Sequence, residues 1–340
     1  MARKDPLQIN ELSESTKYSM KVRIISSIVA ICIVVPAILL GDWFFVGLIL
    51  FVTLIGSREI INCAKPKHSR WLTGINGVLV LLLTFWPILR HFLSTDGFTD
   101  WKLYGSFETI YLSIFILAIA FMSLFWMVIC DSNFSVRDAC FVFTIGIVLA
   151  IGFQSLTFLR FAPIYEHHVL NKVADDSYFS LFKNLSSSTL VIYVAIATFV
   201  TDAGAYFVGV FFGKHKINPR ISPKKTWEGF FGGIFISMVV SFLFAFILAL
   251  TGNPILKIFS VENWYLILIL SAIIPIFSTL GDFVFSSLKR HYEIKDFGRL
   301  IPGHGGVLDR VDSLLFSGIV SAIYISFILA IYYGQTLPLL

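Results

Sequence analysis

The sequence has 340 residues, 57% hydrophobic and only 14% charged, with 35 Phe and a net charge of +5 at pH 7. A soluble domain carries about a quarter charged residues, so this composition, with a mean hydropathy of +0.83, excludes a string of soluble domains. It points to an all-α, polytopic integral membrane protein. Cys32, Cys63, Cys130 and Cys140 form no CxxC pair and have no His at ligand spacing, which argues against a zinc site or a disulfide scaffold.

Residues 1–23 are a polar tail carrying Arg3, Lys4, Lys17, Lys21 and Arg23. Its acids, and the lack of a small-residue cleavage site after the first apolar run, argue against a cleavable signal. Apolar runs follow near 24–41, 43–57, 73–93, 108–130, 138–159, 189–212, 230–252, 263–281 and 313–333. Each approaches the ~20 residues that span a bilayer, so about nine transmembrane helices are predicted. Only the short Gly41-Asp42 break separates the first two, which also read as one re-entrant pair. The chain thus divides into a tail (1–23), N-terminal membrane helices and loops (24–188), and a C-terminal region that holds the chemistry (189–340).

The basic residues orient these runs. With the N-terminus in the cytoplasm, Lys and Arg crowd the tail and the loops at 58–72, 213–229 and 281–312. Only Arg90, Lys102, Arg160, Lys172, Lys183 and Lys257 of the 26 fall outside, as the positive-inside rule requires. The outside loops look chemically quiet, and His167-His168 reads as a solvated pair in the long loop from Glu166 to Ser188. Ser186-Ser187-Ser188-Thr189 reads as a helix start with a hydroxyl cap before Leu190.

The polar outliers carry the functional argument. Asp202 lies in TFVTDAGAYFVGVFFG, about eleven residues before Lys214, or about 16 Å along a helix. An acid at that depth should face a polar cavity or a cation. The following loop, GKHKINPRISPKKTWEGFFGG, gathers Lys214, Lys216, Lys224 and Lys225 with Ser222. Such a surface serves anionic lipid heads, and lysines are also good point-charge partners for phosphates. Gly229 and Gly233, four apart, permit close helix packing. Trp227 reads as an interfacial anchor, and Asn218 and Tyr206 are weaker candidates.

Asp309 and Asp312 sit three apart in VLDRVDSLL, on one face if helical. Two such carboxylates repel unless a cation lies between them or one is protonated. They also read as helix-start acids favoured by the dipole. Asp282 ends the preceding apolar run, and antiparallel neighbours would bring it to the same depth. Three oxygen donors from two helix ends suit a hard cation such as Mg²⁺. Between them lies Pro302-Gly303-His304-Gly305-Gly306, which cannot be helix interior. It reads either as an ordinary tight loop or as bare backbone that approaches a ligand and cradles an anion. His304 is either a phosphate donor or a loop residue. Acids for metal, a Gly-rich turn and many cations describe phosphoryl or nucleotidyl transfer beside a bilayer. No Ser or Cys nucleophile with a His base is visible, and a lipid phosphate is itself a nucleophile.

The stretch Ser286–Asp312, SSLKRHYEIKDFGRLIPGHGGVLDRVD, resembles the signature of the phosphatidate cytidylyltransferase (CDP-diacylglycerol synthase) family. It matches at Ser286, Lys289-Arg290, Lys295-Asp296, Pro302, His304-Gly305-Gly306, Asp309-Arg310 and Asp312. DAGAYFVGVFFGKHKINPRISPKKTWEG looks like the same family, so the resemblance covers about the last 140 residues. It implies that CTP and phosphatidic acid give CDP-diacylglycerol and pyrophosphate. By carry-over, Asp282, Asp309 and Asp312 would hold Mg²⁺, alone or with a second, monovalent or divalent, cation. Lys224, Lys225, Lys289 and Arg310 would stabilise phosphate charge and Ser222 would donate a hydrogen bond. Asp202, Lys295, Asp296, His304, Gly305 and Gly306 fall on substrate-binding positions. The resemblance also implies a homodimer in the cell membrane, a cytoplasm-facing site and no nucleic-acid partner. A membrane transporter for an anionic solute is the alternative. It should show repeated halves with paired broken helices, and the sequence has none.

Overall fold

The computed structural model describes residues 14–63, 70–93, 107–132, 134–171 and 181–333. Among these are nine α-helices: α1 (Glu14–Leu40), α2 (Asp42–Cys63), α3 (Arg70–Leu93), α4 (Phe107–Cys130), α5 (Val136–Asn171), α6 (Leu181–Phe212), α7 (Trp227–Leu250), α8 (Trp264–His291) and α9 (Leu308–Tyr333). Helices dominate because hydrocarbon offers no partner for a backbone N–H or C=O, so each segment must satisfy its own. Seven of them, α1, α2 and α5 to α9, are long and apolar enough to cross a membrane. In α3 and α4 the apolar segments among the described residues are shorter, Gly74–Phe85 and Ile114–Cys130.

Several boundaries differ from expectation. The first two apolar runs are two separate helices hinged at Gly41 (φ 69°), each long and apolar enough to cross a membrane. α5 runs on to Asn171, so Arg160 and His167-His168 lie on a helix rather than in a loop. Arg160 is fully buried, its guanidinium against Gly41. α6 begins at Leu181, which puts Ser186 to Thr189 inside it, and Ser188 Oγ donates to the carbonyl of Ile38 (2.8 Å) on α1. α8 continues past Asp282 to His291, so Lys289 and Arg290 are helical. The fold is all-α as expected, apart from a small antiparallel hairpin within 213–226, made of β1 (Lys216–Asn218) and β2 (Ser222–Thr226). Arg3 and Lys4 of the tail, and Lys172, lie outside the described residues.

Small residues bring the helices together, as apolar attraction alone cannot in lipid. α6 and α7 meet at Gly204, Gly229 and Gly233. A Cβ on Gly233 would stand 2.8 Å from the Thr201 carbonyl and 2.9 Å from the Ala205 backbone N. Ser237 Oγ spans the same seam to the Ala197 carbonyl (2.7 Å). Gly233→Leu is therefore expected to force α6 and α7 apart and lower the melting temperature in detergent by several degrees. An unchanged melting temperature would contradict this seam. α9 beds against α5, with Leu315 over Gly152 and Leu156 over Gly318, and against α8, with Phe316 over Gly281. The contact at Gly281 fixes Asp282 beside the first turns of α9. Phe211, Phe231, Phe235 and Phe327 stay outward, more than half exposed.

Candidate active site

Three elements converge where α8 ends and α9 begins. Thr226 Oγ1 caps α7 by accepting from Gly229 N (3.1 Å), and Glu228 in the first turn accepts from the amides of Lys214 (3.1 Å) and His215 (3.2 Å). His215 Nδ1 also meets Glu228 Oε1 at 2.6 Å. These bonds pin the hairpin over the membrane end of α6. Arg290 ties its tip to α8 by donating to the Ile221 carbonyl (3.3 Å).

The hairpin thereby delivers Lys225, whose ammonium donates to Asp282 Oδ2 and lies 4.1 Å from the Phe283 ring centroid. Ser286 Oγ donates to Asp282 Oδ1 (3.1 Å) from one turn along α8. A turn further, Lys289 Nζ donates to Asp309 Oδ1 (2.9 Å) and stands 3.9 Å from Asp312 Oδ2. Asp309 Oδ2 accepts from the amides of Phe297 (2.8 Å) and Gly306 (2.9 Å). Its side chain is only 3% exposed, so this acid is locked by three donors. Asp312 Oδ1 accepts from Ser313 N (2.8 Å). Asp202 on α6 lies within electrostatic reach of Asp282, Lys225 and Asp312, and Asp312 feels Asp282 and Asp309 as well. Four carboxylates thus share two ammonium groups.

The predicted residues fall into two groups. Asp202, Lys225, Asp282, Lys289, Asp309 and Asp312 form the carboxylate–lysine cluster. Lys295, Asp296, His304, Gly305 and Arg310 line a neighbouring cavity of about 650 Å³. Gly305 divides the two groups. A Cβ there would stand 3.0 Å from Asp309 Oδ2 and 3.2 Å from Asp296 Cβ, and its φ of 90° suits glycine. Gly306 reaches the cluster through its amide. Lys224 is exposed on β2, where strand alternation turns it from the face Lys225 uses. Among the described residues Ser222 and Lys224 bond to none of the aspartates. Asn218 serves its own turn, accepting from Arg220 N (3.1 Å), and Tyr206 and Trp227 are exposed.

No three of His, Cys, Asp or Glu among the described residues are drawn tightly around one point; each aspartate at the junction of α8 and α9 faces a lysine or amide donor instead. The donor set still fits a hard cation, because it consists of carboxylate oxygens in excess of ammonium groups.

Sequence reasoning missed Glu59. Near the end of α2, and only 6% exposed, it accepts from the amides of Val307 (3.0 Å) and Leu308 (2.9 Å). Those are donors of the first turn of α9, which a helix leaves unpaired, and the carboxylate also suits the positive end of the dipole. The signal was present: an acid adjoining an apolar run is a functional-site candidate, but ending that run at residue 57 consigned Glu59 to a loop. Gly306 packs on it so closely that a Cβ would stand 2.6 Å from Glu59 Oε1. Gly306→Ala is expected to destabilise the protein and impair its turnover, checked by thermal unfolding and product assay. A variant as stable as the parent would refute this contact.

The model of the cytidylyltransferase family matches residues 21–328. The chain belongs to the cytidylyltransferase family. It is 32% identical over 300 residues to a phosphatidate cytidylyltransferase of Staphylococcus haemolyticus, covering 87% of this chain and 95% of that one. It is 31% identical over 299 residues to a phosphatidate cytidylyltransferase of Bacillus subtilis, covering 87% and 94%. The match of this cytidylyltransferase-family chain to its relatives therefore extends well upstream of the signature, through α2 and Glu59.

Proposed function

We propose that this enzyme joins CTP to phosphatidic acid, giving CDP-diacylglycerol and pyrophosphate. The observation that carries the reading is the cluster in which Lys225 and Lys289 face Asp282, Asp309 and Asp312, beside a Gly-rich turn and a cationic cavity. Family membership and relatives named phosphatidate cytidylyltransferase support it.

In this reading an oxygen of the lipid phosphate attacks the α-phosphorus of CTP. A new P–O bond forms as the bond to the β-phosphate bridging oxygen breaks, and pyrophosphate leaves with that electron pair. Lys225 and Lys289 neutralise the phosphates, which compete with carboxylates for the same ammonium groups. Asp282, Asp309 and Asp312 would hold Mg²⁺. When bound, the ion supplies charge for phosphate oxygens beyond what two lysines provide. Asp202 adds a further carboxylate on the α6 side. The clustering of Lys and Arg supports a site at the cytoplasmic face of the cell membrane, and the family resemblance supports a homodimer through membrane helices.

The test is purified protein in detergent with labelled CTP, phosphatidic acid and Mg²⁺. CDP-diacylglycerol and pyrophosphate should appear in equal amounts and only with all three present. No lipid-linked label, or label without phosphatidic acid, would overturn the reading.

A further inference from the structure

The cavity beside the cluster contains a wall from an unexpected part of the chain. Arg23, near the start of α1, lines it together with Lys295, Arg299 and Arg310. Against these four cations the lining has, among the described residues, one carboxylate, Asp296. Among the described residues none of the four forms an ion pair, whereas Lys225 and Lys289 are both paired. Converging like charges repel, and more strongly near a low-dielectric slab, so such an arrangement is built for a polyanion.

α1 also shapes the turn. Ser26 Oγ lies 2.9 Å from His304 Nδ1 and Ser27 Oγ 3.4 Å from Nε2, which orients the imidazole. A Cβ on Gly303, where φ is 76°, would stand 2.8 Å from Arg23 Cγ. Arg310 Nη2 donates to the His304 carbonyl (2.7 Å), fixing the opposite wall. The volume of about 650 Å³ falls within the range of small-molecule sites, about 300–1,000 Å³. Gly305, which lines this cavity, packs directly on Asp309.

We infer that the cavity seats the nucleoside triphosphate and that Arg23 of α1 contacts its phosphate tail. This rests on the transferase reading above and divides the labour within it. The nucleotide lies on the α1 side of Gly305 and the lipid phosphate on the side of Asp202 and Lys225. α1 is then part of the site and not merely a membrane anchor.

The test uses full-length protein in detergent and two readouts. Arg23→Ala should raise KM for CTP about tenfold, the loss of one charge-assisted contact, and leave KM for phosphatidic acid within twofold. Arg23→Lys should recover part of the loss, since it restores the charge without the planar fork. Inorganic tripolyphosphate should compete with CTP, and its inhibition constant should rise by a similar factor in Arg23→Ala. Binding of labelled CTP by equilibrium dialysis gives the same comparison without turnover. An unchanged CTP affinity in Arg23→Ala, or a rise confined to KM for phosphatidic acid, overturns the inference. If wild-type protein binds CTP but makes no CDP-diacylglycerol, the transferase reading falls and the dialysis comparison still decides the cavity.

Discussion

Asp312→Asn and Asp309→Asn should each reduce CDP-diacylglycerol formation by at least about 10²-fold, because phosphate transfer depends on charge compensation worth several kcal/mol at this point. The two variants separate chemistry from folding. Among the described residues Asp312 accepts from its neighbour Ser313 alone and stands 3.9 Å from Lys289, so its amide analogue should fold normally and fail in turnover. Asp309 accepts from Lys289, Phe297 and Gly306. An asparagine there turns an NH₂ toward a donor and removes the negative charge nearest a largely buried ammonium. Breaking a buried pair by removing one side costs about 3–5 kcal/mol, so Asp309→Asn should also melt earlier. Initial rates with saturating CTP and phosphatidic acid, together with thermal unfolding, check both statements. Retention of more than a third of wild-type turnover in Asp312→Asn would remove that residue from the site.

Glu59→Ala should be the most damaging change outside the cluster. Both carboxylate oxygens serve amides of α9 in a nearly sealed position. Hydrogen bonds to charged groups contribute about 1.5–3 kcal/mol each, and orphaned buried donors add a desolvation cost. A loss of about 3 kcal/mol or more follows, with the first turn of α9 freed to shift. Asp309 and Asp312 lie in that turn and the next, so turnover should fall even at temperatures where the protein stays folded. Glu59→Gln keeps one acceptor and should fall between the two. Thermal unfolding gives the first effect, and kcat measured well below the melting temperature gives the second. Glu59→Ala with wild-type stability and kcat would show that α9 is held some other way.

Hydropathy made the helices legible because lipid demands long apolar runs. It did not mark where helices stop, since it reports contact with hydrocarbon and not backbone hydrogen bonding. Hence α8 outran its apolar stretch by ten residues, from 281 to His291, and put Lys289 two turns along from Asp282 on one helix face. The short spacings of the site were legible too: Asp309 with Asp312, and Gly305 beside them. The long ones were not. Lys225 meets Asp282 across 57 positions and Glu59 meets Leu308 across 249. No local pattern encodes those pairings, because they depend on which helices lie side by side. The same blindness hid Arg23, which read as one more charge in a polar tail until α1 was seen against Gly303.

The hold of α2 and α5 on α9 bears on how the chain can be divided. A polypeptide beginning at Thr189 would contain every signature residue and still lack the acceptor beneath Val307 and Leu308, as well as the groove that receives Leu315. It should be catalytically silent when expressed alone. Supplying residues 1–188 in trans should restore function only if the two pieces reassemble in the bilayer. The half without signature residues is thus the mould in which the other half takes its working form.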